Sequence, residues 1–167
     1  MRFLIIFIFL IPSAIANDAP KIKNLVINKE LKTYENITFS NSKGKLIKLS
    51  DYKSNLVILN FWATWCAPCR EEIPELNEFA HKNKIIQTIA IAIDDLESVN
   101  KFTKKIPIKY FSFIAENEGV QLSQSLGNER GILPFSIIVS PEKKIEKVFY
   151  GRLKLNQLNQ VLNSIIY

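Results

Sequence analysis

Cys66 and Cys69 are the only two cysteines in 167 residues, and what surrounds them narrows the fold sharply. An apolar run, Leu56-Val57-Ile58-Leu59, leads through Asn60-Phe61-Trp62 into the pair. Glu71-Glu72-Ile73-Pro74-Glu75-Leu76 comes next, with a helix-like pattern. This order predicts a buried strand over Leu56–Trp62, a turn, and a Cys-x-x-Cys pair at the mouth of a helix spanning 67–83. Only a thiolate is nucleophilic, and the free N–H groups and positive dipole end of a helix stabilise one. Cys69 lies one turn along from Cys66, close enough for a small disulfide. Pro68 suits a first turn, where a missing N–H is harmless.

Two plainer uses of the pair exist. A structural zinc normally needs four ligands, and the chain adds only one histidine, His81. An inert disulfide closing so short a loop would constrain the unfolded chain little. Redox chemistry is the favoured reading, with Cys66 as the attacking thiol and Cys69 as the resolving one.

Phe61-Trp62-Ala63-Thr64-Trp65-Cys66-Ala67-Pro68-Cys69-Arg70 resembles the active site of the thioredoxin superfamily, and more narrowly its TlpA/ResA-like extracytoplasmic branch. The resemblance runs from about Phe39 to the C-terminus. It implies an α/β, thioredoxin-like fold: a central mixed β-sheet flanked by helices, with an N-terminal β-hairpin and a βα insertion. It also implies a thiol–disulfide oxidoreductase that needs no cofactor beyond the two thiols and no metal.

The segments before the pair fit export. Arg2, the apolar run Phe3–Ile11 and Ala14-Ile15-Ala16 have the form of a secretory signal over 1–16, cleaved after Ala16 or retained as an anchor. The apolar run is short for a membrane-spanning helix, which needs about 20 residues. Residues 17–35 are a polar lead-in, and 36–167 form the thioredoxin-like domain. Losing 1–16 removes only Arg2, so the formal charge of +6 falls to about +5. The lysines are spread along the chain, without the arginine–aromatic patch expected for nucleic acid.

Within the domain, 36–39 and 45–49 bracket Asn41-Ser42-Lys43-Gly44 as a hairpin. Pro74 should kink the first helix. A strand is expected over 85–93. Asp94 and Glu97 signal the start of a helix over 96–105, which Pro107 stops. A strand over 110–115 and a helix from Asn117 to Gly127 come next. Phe135–Val139 and Lys144–Tyr150 form an antiparallel pair. Leu155, Leu158, Val161, Leu162, Ile165 and Ile166 give the last helix one apolar face. The βα insertion implied by the resemblance falls at about 94–110.

The resemblance assigns further site residues. Pro134 stands where thioredoxin-like proteins place a cis-proline facing the cysteines, and Leu133 before it offers backbone groups to an extended partner segment. Trp65, with Ala67 and Pro68, belongs to the surface that meets the partner. Thioredoxins proper carry a buried aspartate six residues before the first cysteine, but here that residue is Asn60, which cannot titrate. Glu72, three residues after Cys69, is the candidate proton acceptor, as in ResA-like reductases. Glu71, Glu75 and His81 are expected to be solvated.

The favoured function is reduction of protein disulfides in the periplasm by a monomer. Clients implied by the branch are apocytochrome c or copper-site cysteines, with electrons from a membrane DsbD/CcdA-type donor. A DsbE/CcmG-type role in cytochrome c maturation is the nearest alternative. A copper-site assembly chaperone that binds its client without turnover is a further one. A thiol peroxidase is disfavoured because P-x-x-x-T-x-x-C is missing: Thr64 stands two residues before Cys66.

Overall fold

The computed structural model describes residues 37–40, 46–48, 56–142 and 144–166. The signal and lead-in over 1–35 and the hairpin turn at 41–44 lie outside them. Two short antiparallel strands, β1 (Thr38–Ser40) and β2 (Leu46–Lys48), pair as the expected hairpin.

The central strand is β3 (Leu56–Trp62), and every one of its residues is buried. It is sandwiched within a five-stranded sheet of order β5-β4-β3-β6-β7. β4 (Ile86–Ala92) and β5 (Phe111–Ile114) run parallel to it, while β6 (Phe135–Val139) and β7 (Ile145–Tyr150) complete the antiparallel side. Burial on both faces explains why β3 is apolar at every position but Asn60 rather than alternating. The sheet is therefore mixed and thioredoxin-like, as the motif implied.

Side chains alternate across β3. Val57, Leu59 and Phe61 join Leu122 and Leu126, on and just after α3 (Glu116–Ser125), on one face. The other face meets three helices: α1 (Ala67–Lys82), α2 (Leu96–Thr103) and α4 (Leu155–Ile166). Ile58 packs with Leu76 and Phe79 of α1 and Leu158 and Leu162 of α4, and Trp62 packs with Ile73 and Val99. Gly119 lets α3 approach the sheet closely, since a Cβ there would lie 3.1 Å from Ile93 Cγ1 and 3.7 Å from Ile91 Cγ2.

α1 buries Cys69, Glu72, Ile73, Leu76 and Phe79. Their spacing is one helical stripe, and it carries a glutamate into the core along with the apolar residues. Pro74 lies inside the helix, which continues on both sides of it.

Two boundaries differ from expectation. The N-cap of α2 is Asp95, whose Oδ1 accepts from the Ser98 N–H at 2.8 Å; Asp94 is engaged elsewhere. Between 94 and 110 there is a helix but no strand among the described residues, because β5 begins at Phe111. Gly127, with φ of +107°, ends the α3 region in a conformation that a side chain would disfavour.

Candidate functional site

Cys66 and Cys69 are joined as a disulfide. Cys66 is the N-cap of α1, in extended conformation, and its Sγ accepts from the Cys69 N–H at 3.3 Å. The extended cap is a consequence of the sequence: β3 ends at Trp62, and the 63–65 turn must redirect the chain before α1 can start. Cys66 keeps 5% exposure and Cys69 none, so Cys66 is the more accessible of the two.

The turn carrying Trp65 is fixed from two sides. Asp94 Oδ2 accepts from the Thr64 N–H at 2.9 Å and the Thr64 hydroxyl at 2.6 Å. The Arg70 Nη1 donates to the Thr64 carbonyl at 3.0 Å. Asp94 thus ties the end of β4 to the active-site turn, a contact no local sequence pattern announces. Trp65 is left 67% exposed beside Cys66, whereas Trp62 is fully buried against Phe102. Ala67 and Pro68 are exposed on the first turn of α1.

The Leu133–Pro134 peptide bond is cis. Leu133 packs against the cluster that contains Cys66 and Cys69, and Pro134 itself is buried. Asn128 holds the loop before them: its Oδ1 accepts from the Ile132 N–H at 2.9 Å and its Nδ2 donates to the Ile132 carbonyl at 2.9 Å. Because Ile132 spends both backbone groups on Asn128, the adjoining Leu133 is presented at a fixed position.

Below the disulfide lies a polar group that the apolar stripe carries inward. The Glu72 carboxylate is fully buried. Its Oε1 accepts from Asn60 Nδ2 at 2.6 Å, and its Oε2 accepts from the Leu153 N–H at 2.8 Å. Burial pushes its pKa up to about 7, against the opposing pull of these two donors and of Arg152. Asn60 Nδ2 also donates to Ser136 Oγ at 3.0 Å, while Asn60 Oδ1 has no partner among the described residues. Small neighbours on the adjacent strands, Ala90 and Ser136, flank Asn60 in register. Burial also pushes the nearby Tyr110 phenol up, and the Glu72 charge adds to this.

Glu71 and Glu75 are not simply solvated. Arg152 Nη1 bonds to Glu71 Oε2 at 2.8 Å, and its Nη2 pairs with Glu75 Oε1. His81 is exposed on α1. Asn60 is detectable in the sequence as a polar residue in an apolar strand, which must find a partner. Arg152, Leu153 and Asn128 carry no such signal.

A helix-mouth disulfide packed against a cis-proline loop, with a buried carboxylate one turn further along the same helix, is the site of a thiol–disulfide exchange protein on a thioredoxin-like fold. Comparison with known proteins agrees. The AhpC/TSA family model matches residues 23–148. Thiol-disulfide oxidoreductase ResA of Bacillus thuringiensis subsp. konkukian is 32% identical over 133 residues, covering 78% of this chain and 75% of that protein. Among solved structures, a thiol-disulfide oxidoreductase from Bacteroides fragilis is 26% identical with a TM-score of 0.62, covering 80% of this chain and 99% of its own. A putative thiol:disulfide interchange protein DsbE from Chlorobium tepidum is 23% identical with a TM-score of 0.66, covering 89% and 95%, and bears on the fold alone. The chain belongs to the AhpC/TSA family and is a thiol–disulfide oxidoreductase of the ResA type.

Proposed function

We propose that the protein is an exported reductase of protein disulfides in which Cys66 attacks, Cys69 resolves and Glu72 takes the resolving proton. The observation that carries this reading is the placement of Glu72, buried one helical turn beyond Cys69 on the same stripe of α1. A negative group behind the pair disfavours a second negative charge on Cys69. A dithiol whose thiolate is not stabilised gives up its electrons readily, the reverse of the strong oxidants, whose reduced form is stabilised.

Reduction proceeds in two exchanges. The Cys66 thiolate attacks one sulfur of the client disulfide; that bond breaks, a mixed disulfide forms, and the other client sulfur leaves as a thiolate. The Cys69 thiol then passes its proton to the Glu72 carboxylate and attacks Cys66 Sγ. The second client sulfur leaves, so the client gains two electrons and the enzyme ends as the Cys66–Cys69 disulfide. The cycle needs no cofactor, and a membrane DsbD/CcdA-type donor returns two electrons. Trp65, Ala67 and Pro68 on one side and Leu133 with Pro134 on the other receive the client, whose extended segment pairs with the Leu133 backbone.

The apolar start over 1–16 supports export to the periplasm, as a cleaved signal or an anchor. Among the described residues no helix is long and apolar enough to cross a membrane. Apocytochrome c or copper-site cysteines are the proposed clients, which includes a DsbE/CcmG-type part in cytochrome c maturation. Trapping tests the reading: Cys69→Ser should accumulate a client joined through Cys66, and Cys66→Ser should form none. Turnover by Cys66→Ser, or no covalent complex with Cys69→Ser, would overturn it.

A further inference from the structure

Three consecutive residues between β7 and α4 reach both halves of the site. The Gly151 N–H donates to the Pro134 carbonyl at 2.8 Å. The Arg152 guanidinium spans Glu71 and Glu75 on α1. The Leu153 N–H donates to Glu72 Oε2 at 2.8 Å. Gly151 has φ of +82°, a conformation that glycine adopts freely and in which it does not stiffen the chain. The β6–β7 ladder reaches Tyr150 and the Gly151 N–H extends it by one bond, so beyond that point the segment is held by the Arg152 side chain and the buried Leu153.

We propose that Arg152 is a positioning residue for disulfide exchange: by clamping Glu71 and Glu75 it holds this segment on α1, keeping the Leu153 N–H on Glu72 and the Gly151 N–H on the Pro134 loop. Arg152 touches neither sulfur and acts through these two backbone donors. Exposed ion pairs contribute little to global stability, so the effect falls locally, on the carboxylate and the loop.

The groups acting on Glu72 are few. α1 contributes the carboxylate of Glu75, and the segment before α4 contributes Arg152. The chain before β5 brings the Tyr110 phenol, and β3 brings the neutral Asn60 amide. Among the described residues, Arg152 is the only cation acting on Glu72, and the Leu153 N–H the only backbone donor. Losing both favours the protonated carboxyl. The inference rests on Glu72 as proton acceptor for its effect on rate, but not for its effect on Glu72 itself.

The test uses the full oxidised chain, with the Glu72 carboxyl titrated by carbon NMR and amide exchange followed residue by residue. In Arg152→Gln the Glu72 midpoint should rise by about one pH unit. The Gly151 and Leu153 amides should exchange about tenfold faster while β3 and β4 amides are unchanged, the mark of local opening. Arg152→Lys, which keeps the charge but not the fork, should restore less than half of the amide protection. Glu71→Gln with Glu75→Gln, which keeps Arg152 but releases it, should also speed the two amides. Wild-type amide protection in that double variant, or a wild-type Glu72 midpoint in Arg152→Gln, overturns the proposal. Glu72→Gln with a wild-type resolving rate would instead defeat the proton-acceptor reading and leave the clamp standing.

Discussion

Asn60 and Glu72, on β3 and α1, are joined side chain to side chain at 2.6 Å in the fully buried layer between sheet and helix. The amide answers both states of the acid. Its Nδ2 donates to a carboxylate, and its Oδ1, which has no partner among the described residues, can accept from a protonated carboxyl after rotation. A neutral partner thus lets one buried carboxyl cycle its proton, where a second carboxylate would compete for it.

Glu72 makes stability depend on pH in a definite direction. Its pKa is raised from 4.5 to about 7 in the folded protein, so the fold retains a proton that the unfolded chain releases across that window. Stability should therefore fall as pH rises from about 5 to 8, by an amount on the order of 3 kcal/mol from this residue. Glu72→Gln removes the titration. Denaturant melts of both oxidised proteins should give a stability gap that widens by about 2–3 kcal/mol in favour of the variant over that range. Parallel curves would show that Glu72 titrates normally.

Asn60→Asp tests the pairing itself. Two carboxyls in hydrogen-bond reach cannot both ionise cheaply, so the pair should titrate in two coupled steps, one above the single midpoint of wild type. At pH 8 the variant should lose about 3–5 kcal/mol, and much less at pH 5. A pH-independent loss would mean only disturbed packing.

Trp65 should matter for clients and not for folding. It is 67% exposed, so Trp65→Ala should change stability by less than about 0.5 kcal/mol. Reduction of a protein disulfide should slow severalfold, with a small-molecule disulfide reduced at the wild-type rate. Equal slowing of both would place Trp65 in the chemistry rather than in docking.

Whatever a local pattern encodes is legible in the sequence. Leu56–Trp62 and Phe135–Val139 stand out as apolar runs because both are buried on two faces. Glu72 can be placed because helical spacing alone puts it on the stripe with Cys69 and Ile73. Asp94 reads as the helix cap because Asp95 beside it offers the same carboxylate, and only the Thr64 contact from 30 residues away decides between them. Arg152 is invisible for the same reason, since its partner Glu71 lies 81 residues away in sequence. Local chemistry draws the pair and its helix; the groups that tune the pair come from parts of the chain that meet only after folding.

The measurement that bears most directly on the account is the equilibrium reduction potential of the Cys66–Cys69 pair in a dithiol buffer. Thioredoxin-like reductants lie near about −270 mV and strong oxidants near about −120 mV. A reductase with a carboxylate behind its resolving cysteine should lie below about −220 mV, and Glu72→Gln should move it toward the oxidising side. A wild-type value near the oxidising end would contradict the account and make the protein a donor of disulfides.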